Sequence, residues 1–271
     1  MQTVMKNLLL SEAIGDIAGS AYEFSPVKDK NRIKMFARSA RFTDDTVCTF
    51  ACAEALLKGI DIGENLYTRC KDYPDVGYGR RFYAWLASGN REPYQSFGNG
   101  SAMRCSAAGW LANSEEECVE LATKTALPTH DHPEGIKGAV STALAIFLLR
   151  HGGSKELVRE KVLEAYYPEW AGKTYDDIQP TYTFDETCQL SIGPAIISFL
   201  ESDDYETCIR LCISLGGDAD TLAAIAGPMA YAYYREMPAG LVEKARAVLP
   251  EWMLQTSDDF DKLCNKKWNE I

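Results

Sequence analysis

Apolar residues recur three and four apart through most of the chain, and this periodicity predicts helices over 3–22, 44–58, 115–126, 133–151, 154–166, 186–201, 204–214, 218–235, 239–248 and 257–268. Few runs show the two-residue alternation of a half-buried strand. Small residues interrupt several of the predicted helices: Gly15, Ala18 and Gly19; Gly138, Ala139 and Ala143; Ala223, Ala224, Ala226 and Gly227. Glycine costs about 1 kcal/mol inside a helix, so its repetition there points to helices in close contact. Two stretches, 70–101 and 167–185, have no clear period and read as long loops, the places where a helical scaffold often carries function. No linker, low-complexity tract or internal repeat divides the sequence. One compact all-α domain over residues 1–271 is expected.

Charge narrows the partners. The net charge of -11 opposes nonspecific binding to nucleic acid or anionic membrane. A phosphate-bearing ligand would need local cations or backbone N–H groups. The first residues, MQTVMKNLLLSEAIGD, are too short in their apolar part to span a bilayer and lack a small-residue cleavage site. With an odd count of nine cysteines in no regular framework, this suggests a reduced, cytoplasmic protein. A monomer is expected. The pairs Cys48/Cys52 and Cys208/Cys212 stand four apart on predicted helices. Zinc there is conceivable, but no histidine lies near either pair, and buried apolar packing is the better reading.

Five polar elements could carry chemistry. Phe42-Thr43-Asp44-Asp45-Thr46 and Gly216-Gly217-Asp218-Ala219-Asp220-Thr221 each precede an apolar helix directly. Helix capping explains either one alone. Together they offer four carboxylates and the hydroxyls of Thr43 and Thr221, the donors that hard divalent cations take, if two helix starts meet in space. Asp16 and Glu23, in GDIAGSAYE, are seven apart and would share a helix face; Asp16 also fits a buried carboxylate bonded to backbone. Ser96-Phe97-Gly98-Asn99-Gly100-Ser101-Ala102-Met103-Arg104 could present backbone N–H groups to a phosphate. Arg104 could serve a phosphate or an internal carboxylate, the latter being preferred. Thr129-His130-Asp131-His132 holds two of the three histidines and suggests a ligand pocket; zinc through these neighbours is disfavoured because their side chains would not converge.

Taken in order, GDIAGSAYE, FTDDT, GNGSAMR, THDHPEGIKGA and GGDADT resemble the motifs of the ADP-ribosylglycohydrolase family, which includes the dinitrogenase-reductase-activating glycohydrolases. The resemblance runs from residue 15 to residue 221, and GGDADT entering an Ala/Gly-rich helix is its most specific part. It implies an all-α orthogonal multi-helix bundle with two divalent metal ions, Mg²⁺ or Mn²⁺. Thr43, Asp44, Asp45, Asp218, Asp220 and Thr221 would be the ligands. Glu23 matches a glutamate near the metals and is the first choice for a catalytic carboxylate. Asp75, in YPDVGYG, is the second. Asn99, Gly100, Ser101 and Met103 match the loop along the ADP-ribose phosphates, and His130 a substrate-site histidine; no role is assigned to His132.

The expected activity is hydrolysis of the glycosidic bond between ADP-ribose and a modified protein or small compound. An arginine linkage is favoured over a serine one, because the motifs look bacterial and similar to the nitrogenase-regulating branch. Two alternatives stand beside it: a non-catalytic ADP-ribose-binding or immunity protein, and a terpenoid-synthase-like Mg²⁺ enzyme. The latter expects DDxxD inside a helix, where this chain has Thr46, Val47 and Cys48 after Asp45.

Overall fold

The computed structural model describes residues 4–269. Its helices are α1 (Leu10–Gly19), α2 (Asp44–Lys58), α3 (Ile62–Lys71), α4 (Arg80–Ser88), α5 (Gly100–Met103), α6 (Ser106–Leu111), α7 (Glu115–Ala126), α8 (Pro133–Arg150) and α9 (Lys155–Val158). Then follow α10 (Tyr175–Ile178), α11 (Cys188–Leu200), α12 (Tyr205–Leu215), α13 (Ala219–Tyr234), α14 (Ala239–Val248) and α15 (Glu251–Asn269). Among the described residues the only β pairing is an isolated bridge between Gly98 and Thr187. The all-α bundle expected from the sequence is what the chain forms.

Helices α13 and α8 are apolar on nearly every side and form the centre. Every residue of α13 from Ala219 to Ala232 is buried, as a helix hydrophobic all round must be. Helices α1, α2, α5, α8, α11 and α12 all pack against α13. Helices α3, α4, α7, α14 and α15 bury one stripe each and form the outside. No helix among the described residues is long and apolar enough to cross a membrane. All nine cysteines are free and buried, which agrees with the apolar reading of both pairs.

Several expected boundaries move, for local reasons. The helix expected over 3–22 starts at a residue outside the described ones, and α1 begins only at Leu10. Asn7 takes φ +61°, and the Asp261 carboxylate accepts the N–H groups of Asn7 (2.5 Å) and Leu8 (3.0 Å), so the segment is tied to α15 instead. The C-terminal helix starts at Glu251, just after Pro250, six residues before the expected 257. The stretch 70–101 holds α4, whose buried Phe82, Trp85 and Leu86 form a helical stripe obscured by the surrounding glycines. The stretch 167–185 holds a 3₁₀ turn, Pro168–Trp170, and the one-turn α10.

Candidate active site

The first wall is built by a buried carboxylate. Asp16 lies in the last turns of α1 and is fully buried. It accepts hydrogen bonds from the Thr43 N–H (2.8 Å) and hydroxyl (2.7 Å), and from the Thr46 N–H (3.2 Å) and hydroxyl. Burial pushes its carboxyl up to about 6 in spite of these bonds. The buried-carboxylate reading of Asp16 therefore holds, and its effect is to fix the turn that opens α2. Thr43 caps that helix by accepting from the Asp45 N–H at 3.3 Å.

The second wall is the start of α13. Gly216 and Gly217 have φ +74° and +73°, conformations that favour glycine, and a side chain at 217 would also meet the Thr183 carbonyl at 2.9 Å. Asp218 stands at the N-cap position but makes no capping bond; its carboxylate accepts from the Asn99 amide at 2.7 Å. Capping thus explains Thr43 and leaves Asp218 unexplained. The Thr221 hydroxyl donates to Asp45 at 3.3 Å, which joins the two helix starts directly.

Glu23 completes the centre. It sits in the turn beyond α1, since the helix stops at Gly19, so the shared helix face expected for Asp16 and Glu23 does not form. Its carboxylate nevertheless comes within 4.8 Å of those of Asp218 and Asp220. Burial, followed by the charge of Asp218, pushes Glu23 up to about 7, with Arg41 opposing. Burial and then neighbouring carboxylates raise Asp44, Asp45 and Asp220 as well. The second carboxylate oxygen of Asp45 is buried with no hydrogen-bond partner. Convergent, mutually repelling carboxylates with a partnerless buried oxygen match the donor set of a hard divalent cation.

These groups stand at the head of a cleft of about 380 Å³, which Asn99, Gly100, Met103 and His130 also line. Ser101 does not reach it: its hydroxyl turns inward to the Gly135 carbonyl at 2.7 Å. Asp75 is exposed and off the cleft wall, whereas its neighbours Val76 and Gly77 line it. Arg104 is buried and serves the carbonyls of Thr125 (2.9 Å) and Ala126 (3.3 Å) at the end of α7, not a carboxylate. It also donates to the Thr129 hydroxyl at 2.8 Å, which stands 2.7 Å from His130 Nδ1. Burial, then the charges of Arg104 and Arg81, hold His130 well below the usual histidine range, so it is neutral. His132 caps α8, accepting from the Glu134 N–H at 3.1 Å, and Asp131 accepts from the Gln95 N–H at 2.7 Å. The three side chains thus take separate partners: Thr129, the Glu134 N–H and the Gln95 N–H.

Sequence reasoning missed Phe24, Arg41, Arg81, Tyr94 and Glu186, all in the cleft wall. Arg81 lies over the Tyr94 ring at 4.9 Å, and Tyr94 leans on His130 at 6.3 Å. Arg81 adds positive charge to the cleft wall, and its guanidinium donates to the Tyr94 carbonyl. It lies at the start of α4, inside the stretch that reads as loop, so only its setting on a helix facing the cleft could have marked it.

Fold and site together define an all-helical hydrolase whose acidic centre is gathered from two helix starts. The chain belongs to the ADP-ribosylglycohydrolase family, whose profile matches residues 4–270. It is 25% identical to human ADP-ribosylhydrolase ARH3, over 84% of this chain and 85% of that one. It is 26% identical to the ADP-ribosylarginine hydrolase Tri1 of Pseudomonas putida, over 88% of this chain and 73% of the other. It is also 26% identical to the ADP-ribosyl-[dinitrogen reductase] glycohydrolase of Rhodospirillum rubrum, over 87% of each. An ADP-ribosylglycohydrolase-related protein complex contains a chain of the same fold, with a TM-score of 0.71 at 22% identity, covering 95% of this chain and 96% of that one. The family assignment sets aside the terpenoid-synthase alternative.

Proposed function

We propose that the protein works as a single-domain cytoplasmic monomer that hydrolyses the bond between the ADP-ribose C1″ carbon and a modified target, arginine being favoured over serine. Two divalent cations, Mg²⁺ or Mn²⁺, would be held by Thr43, Asp44, Asp45, Asp218, Asp220 and Thr221. When bound, they would supply positive charge that orients the ribose hydroxyls and acidifies water beside C1″. The observation that carries this reading is the meeting of Asp45 with Thr221 at 3.3 Å, next to the convergent oxygens of Glu23, Asp218 and Asp220.

The chain's own groups divide the remaining work. Glu23, set on the turn beyond α1 beside Asp218 and Asp220, takes the proton of the attacking water. That water adds to C1″, the C1″–N bond breaks, and its proton goes to the departing nitrogen, leaving ADP-ribose and an unmodified guanidino group. Asn99 fixes the Asp218 carboxylate and is itself fixed by Ser191 at 3.0 Å. Gly98, Gly100 and neutral His130 shape the wall along which the pyrophosphate would lie, and Arg81 compensates its charge.

Purified protein should release ADP-ribose from an arginine-linked substrate when Mg²⁺ or Mn²⁺ is present and not after chelation. Asp218→Ala should abolish release while the protein still melts cooperatively. Full turnover in chelator would refute the metal assignment, and normal turnover by Glu23→Gln would remove Glu23 from its role.

A further inference from the structure

Next to Glu23 the cleft wall ends in Phe24, an aromatic ring open to solvent on which the exposed ring of Phe184 stacks. Phe24 is 79% exposed and Phe184 44%, and the rings stack with centroids 6.2 Å apart and planes 25° from parallel. Phe24 lines the cleft directly beside the carboxylate centre. Single exposed apolar side chains are common on protein surfaces; a stacked pair at the mouth of a catalytic cleft is not explained by that.

The pair is also held in place. Lys28 donates to the carbonyls of Gln179 (2.8 Å), Tyr182 (2.9 Å) and Leu215 (2.5 Å), which staples the Phe24 loop to the segment before Phe184 and to the residue preceding Gly216. Gln179 returns a bond to the Lys28 carbonyl at 2.9 Å. On the other side, the Asn99 N–H donates to the Glu186 carbonyl at 2.7 Å, and the Cys188 N–H to Phe97 at 3.0 Å. Both rings therefore ride on loops bonded to the site itself.

The charges on this side are mostly negative. Glu23, Asp218 and Glu186 line the cleft here. Asp185 is taken up by the Thr187 N–H at 2.7 Å and hydroxyl at 2.5 Å. Two cations stand on this side: Arg41 faces Glu23, and the Lys28 ammonium is taken up by the carbonyls of Gln179, Tyr182 and Leu215. A flat ring face bordered by carboxylates suits a planar, delocalised cation, which stacks on aromatics and is weakly hydrated. A serine side chain offers neither a flat face nor a charge.

We propose that Phe24 and Phe184, with Glu186 in the adjoining cleft wall, form the leaving-group subsite and select a guanidinium. This rests on the glycohydrolase reading and names the residues that would choose the linkage. It is tested with arginine-linked and serine-linked ADP-ribosyl peptides, with free agmatine as the probe of the subsite. Phe24→Ala should lower the arginine-over-serine ratio of kcat/KM about tenfold, mainly through KM for the arginine peptide. Phe24→Tyr should restore the ratio. Agmatine should inhibit the wild type more strongly than Phe24→Ala by a similar factor, while inhibition by free ADP-ribose changes much less. An unchanged ratio with equal agmatine inhibition would overturn the proposal. So would a defect seen with a modified folded protein but not with the arginine peptide, which would make the rings a docking patch for the target. If the wild type cleaves neither linkage, the glycohydrolase reading falls. Calorimetric binding of agmatine, tighter to the wild type than to Phe24→Ala or equal, then decides the subsite by itself.

Discussion

Single side chains in this protein often act through a backbone they hold. Asp16 orders the turn at Thr43 and Thr46, and Arg104 orders Thr129 and thereby His130. Such roles are hard to read from sequence, because a buried carboxylate or guanidinium next to apolar residues looks the same whatever backbone it meets. The aspartates of the two clusters were legible, since few structural tasks need four of them with so little spacer. Glu54 belongs to the illegible group. Burial pushes its carboxyl up, but hydrogen bonds from Arg69, Lys58 and Asn65, with the Arg69 charge, outweigh that and hold it at about 2. A carboxyl lowered from its ordinary value by folding adds stability above about pH 4.5, and the gain is lost as pH falls toward 2. Glu54→Gln should therefore lose about 2 kcal/mol at neutral pH, after discounting for the partly exposed partners. In urea melts its deficit relative to the wild type should shrink steadily between pH 4.5 and 2; a deficit independent of pH would show that the ion pairs contribute nothing.

Between elements, the contact of α1 with α13 places the site. Gly19 lets the end of α1 lie against the start of α13: an added Cβ would stand 2.4 Å from the Asp220 Cα and 2.6 Å from the Ala219 carbonyl. Both are backbone atoms and cannot swing aside. Gly19→Ala should cost about 2 kcal/mol and lower the melting temperature by several degrees, since overpacking a rigid contact typically costs about 1–3 kcal/mol. It should also abolish the stabilisation by Mn²⁺, because Asp220 must shift; a variant that keeps both would show that the contact has slack. The small residues of both helices were visible in the sequence as a sign of close approach, though which helices meet was not. Periodicity located the long central helices to within a few residues. It failed at α3, α4, α5, α6 and α10, which are short and take their order from the neighbours they pack on. The N-terminal segment failed for another reason, the bond to Asp261 more than 250 residues away.

Across the whole molecule, a net charge of -11 surrounds a cleft that would take an anionic substrate. The structure answers this locally, with Arg41 and Arg81 in the cleft wall and, in the proposed function, cations among the aspartates. Without such cations, Glu23, Asp44, Asp45, Asp218 and Asp220 crowd one another, so the empty centre should be a source of strain and its filling a source of stability. Mn²⁺ binding to chelator-treated protein, followed by calorimetry with the melting temperature alongside, tests this most directly. The wild type should bind two ions per chain and melt several degrees higher with them, whereas Asp45→Ala and Asp218→Ala should each lose binding and the shift. Wild-type protein that binds no Mn²⁺ at millimolar concentration, or binds it equally well after both substitutions together, would contradict the account.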